Sequence, residues 1–253
     1  VILVKLLDTS LGIGAGLSMG REGPSVQIGA MTGQGIGNAL NNTNMEKRAL
    51  ISSGAGAGLA AAFNAPMAGV MFTMEAIHKN LSAVVMAPTL MACMTTTVLV
   101  HWFFGVETVL TIPPMPILPV ELLPQVIGLG LVSGFIGVAF NKGSLGIGKF
   151  YSLPVFRKPW MKIAFPLLLT IPLTYLLPQV LGAGDEIIEA MVSLEGTLSL
   201  VLVILIGKFI FTILSTGSGA PGGSLQPMLV LGSLVGGLYG NLLVQLGILP
   251  EAY

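Results

Sequence analysis

The chain has 253 residues, 53% of them hydrophobic and only 9% charged, with a mean hydropathy of +0.90. Soluble domains carry about a quarter charged residues, so this composition excludes an ordinary water-soluble enzyme and makes the lipid bilayer the expected solvent. Eleven basic and eleven acidic residues cancel to a net charge of +0, and the basic ones are too scattered to form a nucleic-acid-binding face.

The chain opens at Val1, already close to a motif-rich stretch, and shows no basic segment followed by a short apolar core and a cleavage site. It reads as an internal piece of a longer protein, without a signal peptide. Two apolar runs, Thr9 to Met19 and Pro24 to Met45, then flank Gly20-Arg21-Glu22-Gly23-Pro24. A charge at membrane depth costs roughly 2.5 to 3.5 kcal/mol, so Arg21 and Glu22 point to function, the competing reading being a local ion pair. Pro24 suits the first turn of a helix, and the glycines let the backbone approach a bound species. The expected product is a helix N-terminus inside the protein, with free N–H donors and about half a positive charge, which favours an anion.

A bilayer span takes about 20 apolar residues. Ala49 to Met74, Asn80 to Val106, Leu122 to Asn141 and Ile163 to Gly184 lack charged residues, and only Lys208 interrupts Gly196 to Pro250. That leaves room for about six to eight helices. Gly54-Ala55-Gly56-Ala57-Gly58 predicts a helix in close contact with others. Phe63-Asn64-Ala65-Pro66-Met67-Ala68-Gly69 marks an elbow or helix start within the membrane. Cys93, the single cysteine, excludes an internal disulfide and reads as a small packing residue. His78, beside Lys79, reads as interfacial, and His101 with Trp102, Phe103 and Phe104 as part of an outer aromatic belt. No cluster has metal-ligand spacing, so no metal is expected.

Lys142, Lys149, Arg157, Lys158 and Lys162 gather in one inter-span segment without an acid, which places that segment in the cytoplasm. Counting spans from there puts Lys79 inside, and Glu107, Glu121, Asp185, Glu186, Glu189 and Glu195 outside. Near the end, Gly217-Ser218-Gly219-Ala220-Pro221-Gly222-Gly223-Ser224-Leu225-Gln226-Pro227 is a second glycine-rich loop opening a proline-marked helix, followed by the apolar Met228 to Leu238. Two such half-helix starts, one toward each end, are what inverted repeats produce around a midplane site. Neither loop has a phosphate-binding consensus.

Three segments, GREGPSVQIGA from Gly20, AAFNAPMAG from Ala61 and GAPGGSLQPMLVLG from Gly219, resemble in order and spacing the CLC family of chloride channels and chloride/proton antiporters. The resemblance implies an all-α membrane fold, an inverted-repeat bundle with broken, re-entrant helices. It forms a single transmembrane domain over residues 1–253, in the plasma membrane of a bacterium. It also implies that an earlier serine-bearing loop and the last helices, one carrying a tyrosine, lie outside this chain. The expected activity is chloride transport, as a channel or in exchange for protons, by a homodimer that has no cofactor and is not an enzyme.

Carried onto this chain, the resemblance makes Glu22 the gating glutamate, whose carboxylate competes with the anion until a proton neutralises it. Gly20, Arg21, Gly23 and Pro24 complete the first anion-binding loop; Gly223, Ser224, Leu225, Gln226 and Pro227 form the second, through backbone N–H groups. Leu225 stands where a phenylalanine is usual and Gln226 where a small residue is, while Lys5 matches a basic residue found in many members. Proton-exchanging members often carry two adjacent acids where this chain has Glu75 and Ala76, so the second acid is missing. A fluoride/proton exchanger of the same fold is the alternative. A remoter one is an intramembrane enzyme using Glu22 and Glu75 as an acid/base pair.

Overall fold

The computed structural model describes residues 2–106, 119–192 and 198–249. Among these residues ten α-helices and no β-strand are found. In chain order they are α1 (Ile2–Gly14), α2 (Glu22–Ala39), α3 (Asn44–Phe63), α4 (Pro66–Phe72) and α5 (Ala83–Phe104), then α6 (Leu123–Tyr151), α7 (Pro159–Leu176), α8 (Asp185–Val192), α9 (Leu198–Gly217) and α10 (Leu225–Gln245). The described residues divide into two compact units: 2–11, 21–106 and 221–223 in the first, the remainder in the second.

In the first unit, α2 and α3 touch backbone to backbone. A Cβ added at Gly29 would strike the carbonyl of Gly54, one at Gly33 that of Leu50, and one at Gly58 that of Ser25. Only glycine permits this approach, which confirms the packing expected of the Gly54–Gly58 run. α3 opens on a capping box: Thr43 Oγ1 accepts from the Glu46 N–H and the Glu46 carboxylate accepts from the Thr43 N–H. It closes on Asn64, in the left-handed region at φ 53°, and Pro66 then starts α4. The elbow is therefore a left-handed cap followed by a proline-initiated helix. Thr73–His78 continues α4 as a π-helical segment, and Cys93 packs, fully buried, on Ala60 and Val70.

The second unit is held by side chains. Ile187, Ile188 and Met191 of α8 pack with Val201 and Ile204 of α9 and Val230 and Leu234 of α10. Phe140 of α6, Ile213 of α9 and Leu231 of α10 form a further cluster, and Tyr151 donates from its hydroxyl to the Leu214 carbonyl at 2.8 Å. α5 and α7 keep prolines inside, Pro88 in the one and Pro166 and Pro172 in the other. Trp102, Phe103 and Phe104 are 80%, 73% and 82% exposed at the end of α5, as an aromatic belt requires.

Two expectations need correction. Five helices among the described residues are long and apolar enough to cross a membrane, against an expected six to eight. α2 and α3 reach 18 and 20 residues, but their contact faces are built from glycine, alanine and serine. The basic cluster is also not a loop. Lys142 and Lys149 lie within α6, whose 29 residues extend about 44 Å, beyond a core of roughly 30 Å, so this end of the helix can carry charge in water. Lys158 precedes α7 and Lys162 lies in its first turn. Glu107 and Glu195 fall outside the described residues.

Candidate functional site

Arg21 precedes α2 without a side-chain cap, Glu22 is the first helical residue and Pro24 the third. The first N–H groups of a helix have no acceptor within it, so this start presents backbone donors and a partial positive charge. Glu22 is 2% exposed and Pro24 is buried, whereas Arg21 is exposed. A Cβ on Gly23 would come within 3.2 Å of Gly223 Cα and 3.5 Å of its nitrogen. The two glycine-rich loops, two hundred residues apart in sequence, therefore meet inside the first unit.

The second unit holds Gly20 and Ser224–Pro227. The approach to Gly20 is pinned to α9: Ser18 shares a 2.8 Å hydrogen bond with Thr212 Oγ1 and its N–H donates to Ser215 Oγ at 3.3 Å, with all three residues fully buried. Leu17 and Met19 are buried beside them. Gly16, at φ +92°, supplies the turn and accepts from the Gly182 N–H at 3.0 Å. α10 begins like α2: Ser224 makes no side-chain cap, Leu225 is first and Pro227 third. Leu225 is 43% exposed, while Gln226 and Pro227 are buried.

Glu75 and Ala76 lie in the π-helical segment, both exposed, so the two glutamates of the remote enzyme reading differ sharply in environment. His78 is half-buried, and its Nε2 lies 2.8 Å from Ser52 Oγ. Since Ser52 spends its proton on the Arg48 carbonyl at 2.6 Å, the imidazole is the donor in that contact. Lys5 lies half-buried in α1.

Sequence reading did not single out Ser18, Thr212, Ser215, Lys208 or Asp185. A lone lysine in a 55-residue apolar interval was a usable signal, because an ionisable residue at membrane depth is functional by default. The hydroxyl pair gave none.

Five apolar helices long enough to span a membrane, together with two glycine–proline loops that open the uncapped starts of α2 and α10, define a multi-pass integral membrane protein of the broken-helix transport class. The chain belongs to the voltage gated chloride channel family, whose model matches residues 1–253. It is 31% identical over 247 residues to the H(+)/Cl(-) exchange transporter ClcA of Vibrio parahaemolyticus, covering 95% of this chain and 53% of that protein. The corresponding transporter of Yersinia pestis is 32% identical, with 95% and 52% covered. The chain thus spans about half the length of the curated relatives it matches. Among solved structures it is similar to a slow cyanobacterial Cl-/H+ antiporter, at TM-score 0.88 and 29% identity over 99% of this chain and 60% of the other. It is also similar to a CLC-type fluoride/proton antiporter, at 0.74 and 28% over 93% and 58%.

Proposed function

We propose that this chain forms part of a transporter that moves chloride across the membrane in exchange for protons, with Glu22 as the gating carboxylate. The observation that carries the reading is a carboxylate 2% exposed on the first residue of α2, where the first turn of a helix favours negative charge. A carboxylate and a halide suit the same donors, so one displaces the other. Protonation removes the carboxylate's claim, which couples anion entry to proton uptake. Gly20, Arg21, Gly23 and Pro24 shape this start. Gly223, Ser224, Leu225, Gln226 and Pro227 supply a second set of backbone donors, which tolerates leucine in place of phenylalanine because the side chain makes no hydrogen bond.

The names of the relatives, exchange transporters and antiporters, support ion exchange over enzymatic chemistry. Exchange then proceeds without an acid at Ala76. The protein works as a homodimer, one pathway per subunit, and needs no cofactor. The test is chloride and proton flux from liposomes carrying the full-length protein. Glu22→Gln, a permanent mimic of the protonated form, is expected to abolish proton movement and retain chloride movement; proton flux equal to that of the unmodified protein contradicts the assignment. An anion panel separates the fluoride alternative, for which strong fluoride flux with no chloride flux is the signature.

A further inference from the structure

Lys208, in the middle of α9, is fully buried. Its ammonium donates to three consecutive backbone carbonyls, those of Val180 at 3.1 Å, Leu181 at 3.3 Å and Gly182 at 2.7 Å, in the segment leading into α8. Three donors meet three acceptors, which fills the ammonium's hydrogen-bonding capacity but leaves its charge. The countercharge is Asp185, the first residue of α8, whose carboxylate attracts it. Asp185 Oδ1 in turn accepts a hydrogen bond from Gln226 Nε2. Gln226 is 3% exposed and is the second residue of α10. Lys208 therefore ties α9 to the segment before α8, and Asp185 ties α8 to α10 through Gln226.

This tie ends on a turn with little local support. Ser224 makes no side-chain cap for α10, and Pro227 has no N–H to contribute. Gln226 reaches out of the turn to a charged partner instead. Hydrogen bonds to charged groups are about twice as strong as neutral ones, and burial strengthens them further.

We propose that Asp185 is a positioning residue for transport: it grips Gln226 and fixes the direction of the N–H donors in the first turn of α10. This rests on the reading that the start of α10 serves the anion. The consequence is a selectivity effect, because the spacing of fixed donors decides which anion fits.

The test is the ratio of chloride to nitrate flux in liposomes containing the full-length protein, a quantity independent of how much protein is active. Gln226→Leu removes the grip and leaves Lys208 and Asp185 together; the ratio is expected to shift by roughly threefold to tenfold. Asp185→Ala is expected to shift it in the same direction. Asp185→Glu combined with Gln226→Asn lengthens one side chain by a methylene and shortens the other, and is expected to return the ratio to within about twofold of the original. An unchanged ratio in a transporting Gln226→Leu variant, or a double variant no closer to the original than its two single variants, overturns the positioning role alone. An unmodified protein that moves no anion overturns the reading of the site and the positioning role with it.

Discussion

The starts of α2 and α10 share a register and differ in what holds them. Each follows a glycine-rich loop, lacks a side-chain cap and carries proline at its third helical residue. α2 is anchored by backbone: Gly23 lies against Gly223, and farther along the helix Gly29 and Gly33 lie against α3. α10 is anchored by side chains, through Gln226 on Asp185 and through Val230 and Leu234 in the core of its unit. The start that carries an ionisable group is thus the one fixed by contacts with no rotamers to change. The carboxylate proposed to gate thus sits on a rigid mount, while the start without one is held by a polar contact between Gln226 and Asp185.

The largest effects are expected at the glycine contacts. Gly54→Leu drives a side chain into the Gly29 carbonyl, and neither backbone can yield, so a loss of about 3 kcal/mol or more is expected, seen as failure to elute as a folded species from size exclusion. Gly35→Ala in α2, where an added Cβ meets open space, is the control; it should match or slightly exceed the unmodified melting temperature. Gly23→Ala comes next. Its Cβ would stand 3.2 Å from Gly223 Cα, so the loops must separate by a few tenths of an ångström, and chloride flux is expected to fall about threefold to tenfold while the fold persists. Leu225→Phe leaves the α10 backbone in place and should alter chloride flux less than twofold to threefold, as expected of the proposed binding through backbone N–H groups.

The smallest effect belongs to the α3 cap. Hydrogen bonds from the backbone N–H and then the hydroxyl of Thr43 hold the Glu46 carboxyl below its ordinary value of 4.5. A lowered carboxylate value gives stability that is present above pH 4.5 and lost as pH falls through the folded-state value. Thr43→Ala should therefore lower the melting temperature by a few degrees at pH 7, and by less at pH 3, in thermal scans of detergent-solubilised protein.

Much of this was legible in the sequence where chemistry is local. The glycine run of α3, the Asn64–Pro66 elbow and both proline-marked starts follow from backbone rules acting within a few residues. Helix ends were less legible, because a helix longer than the bilayer carries its last lysines into water: Lys142 and Lys149 looked like a loop and are helical. Long-range polar pairs were not legible at all. Ser18 and Thr212 stand 194 positions apart, and nothing in either neighbourhood names the other. Asp185 reads as one more outer acid, and its contact with Gln226, 41 positions away, is equally invisible in the sequence.

The most direct test of gating by Glu22 is chloride movement driven by a proton gradient alone, in liposomes containing the full-length protein and with equal chloride on both sides. Gated exchange at Glu22 predicts uphill chloride movement that Glu22→Gln abolishes. Chloride that only ever dissipates its own gradient, with or without Glu22, would contradict the account.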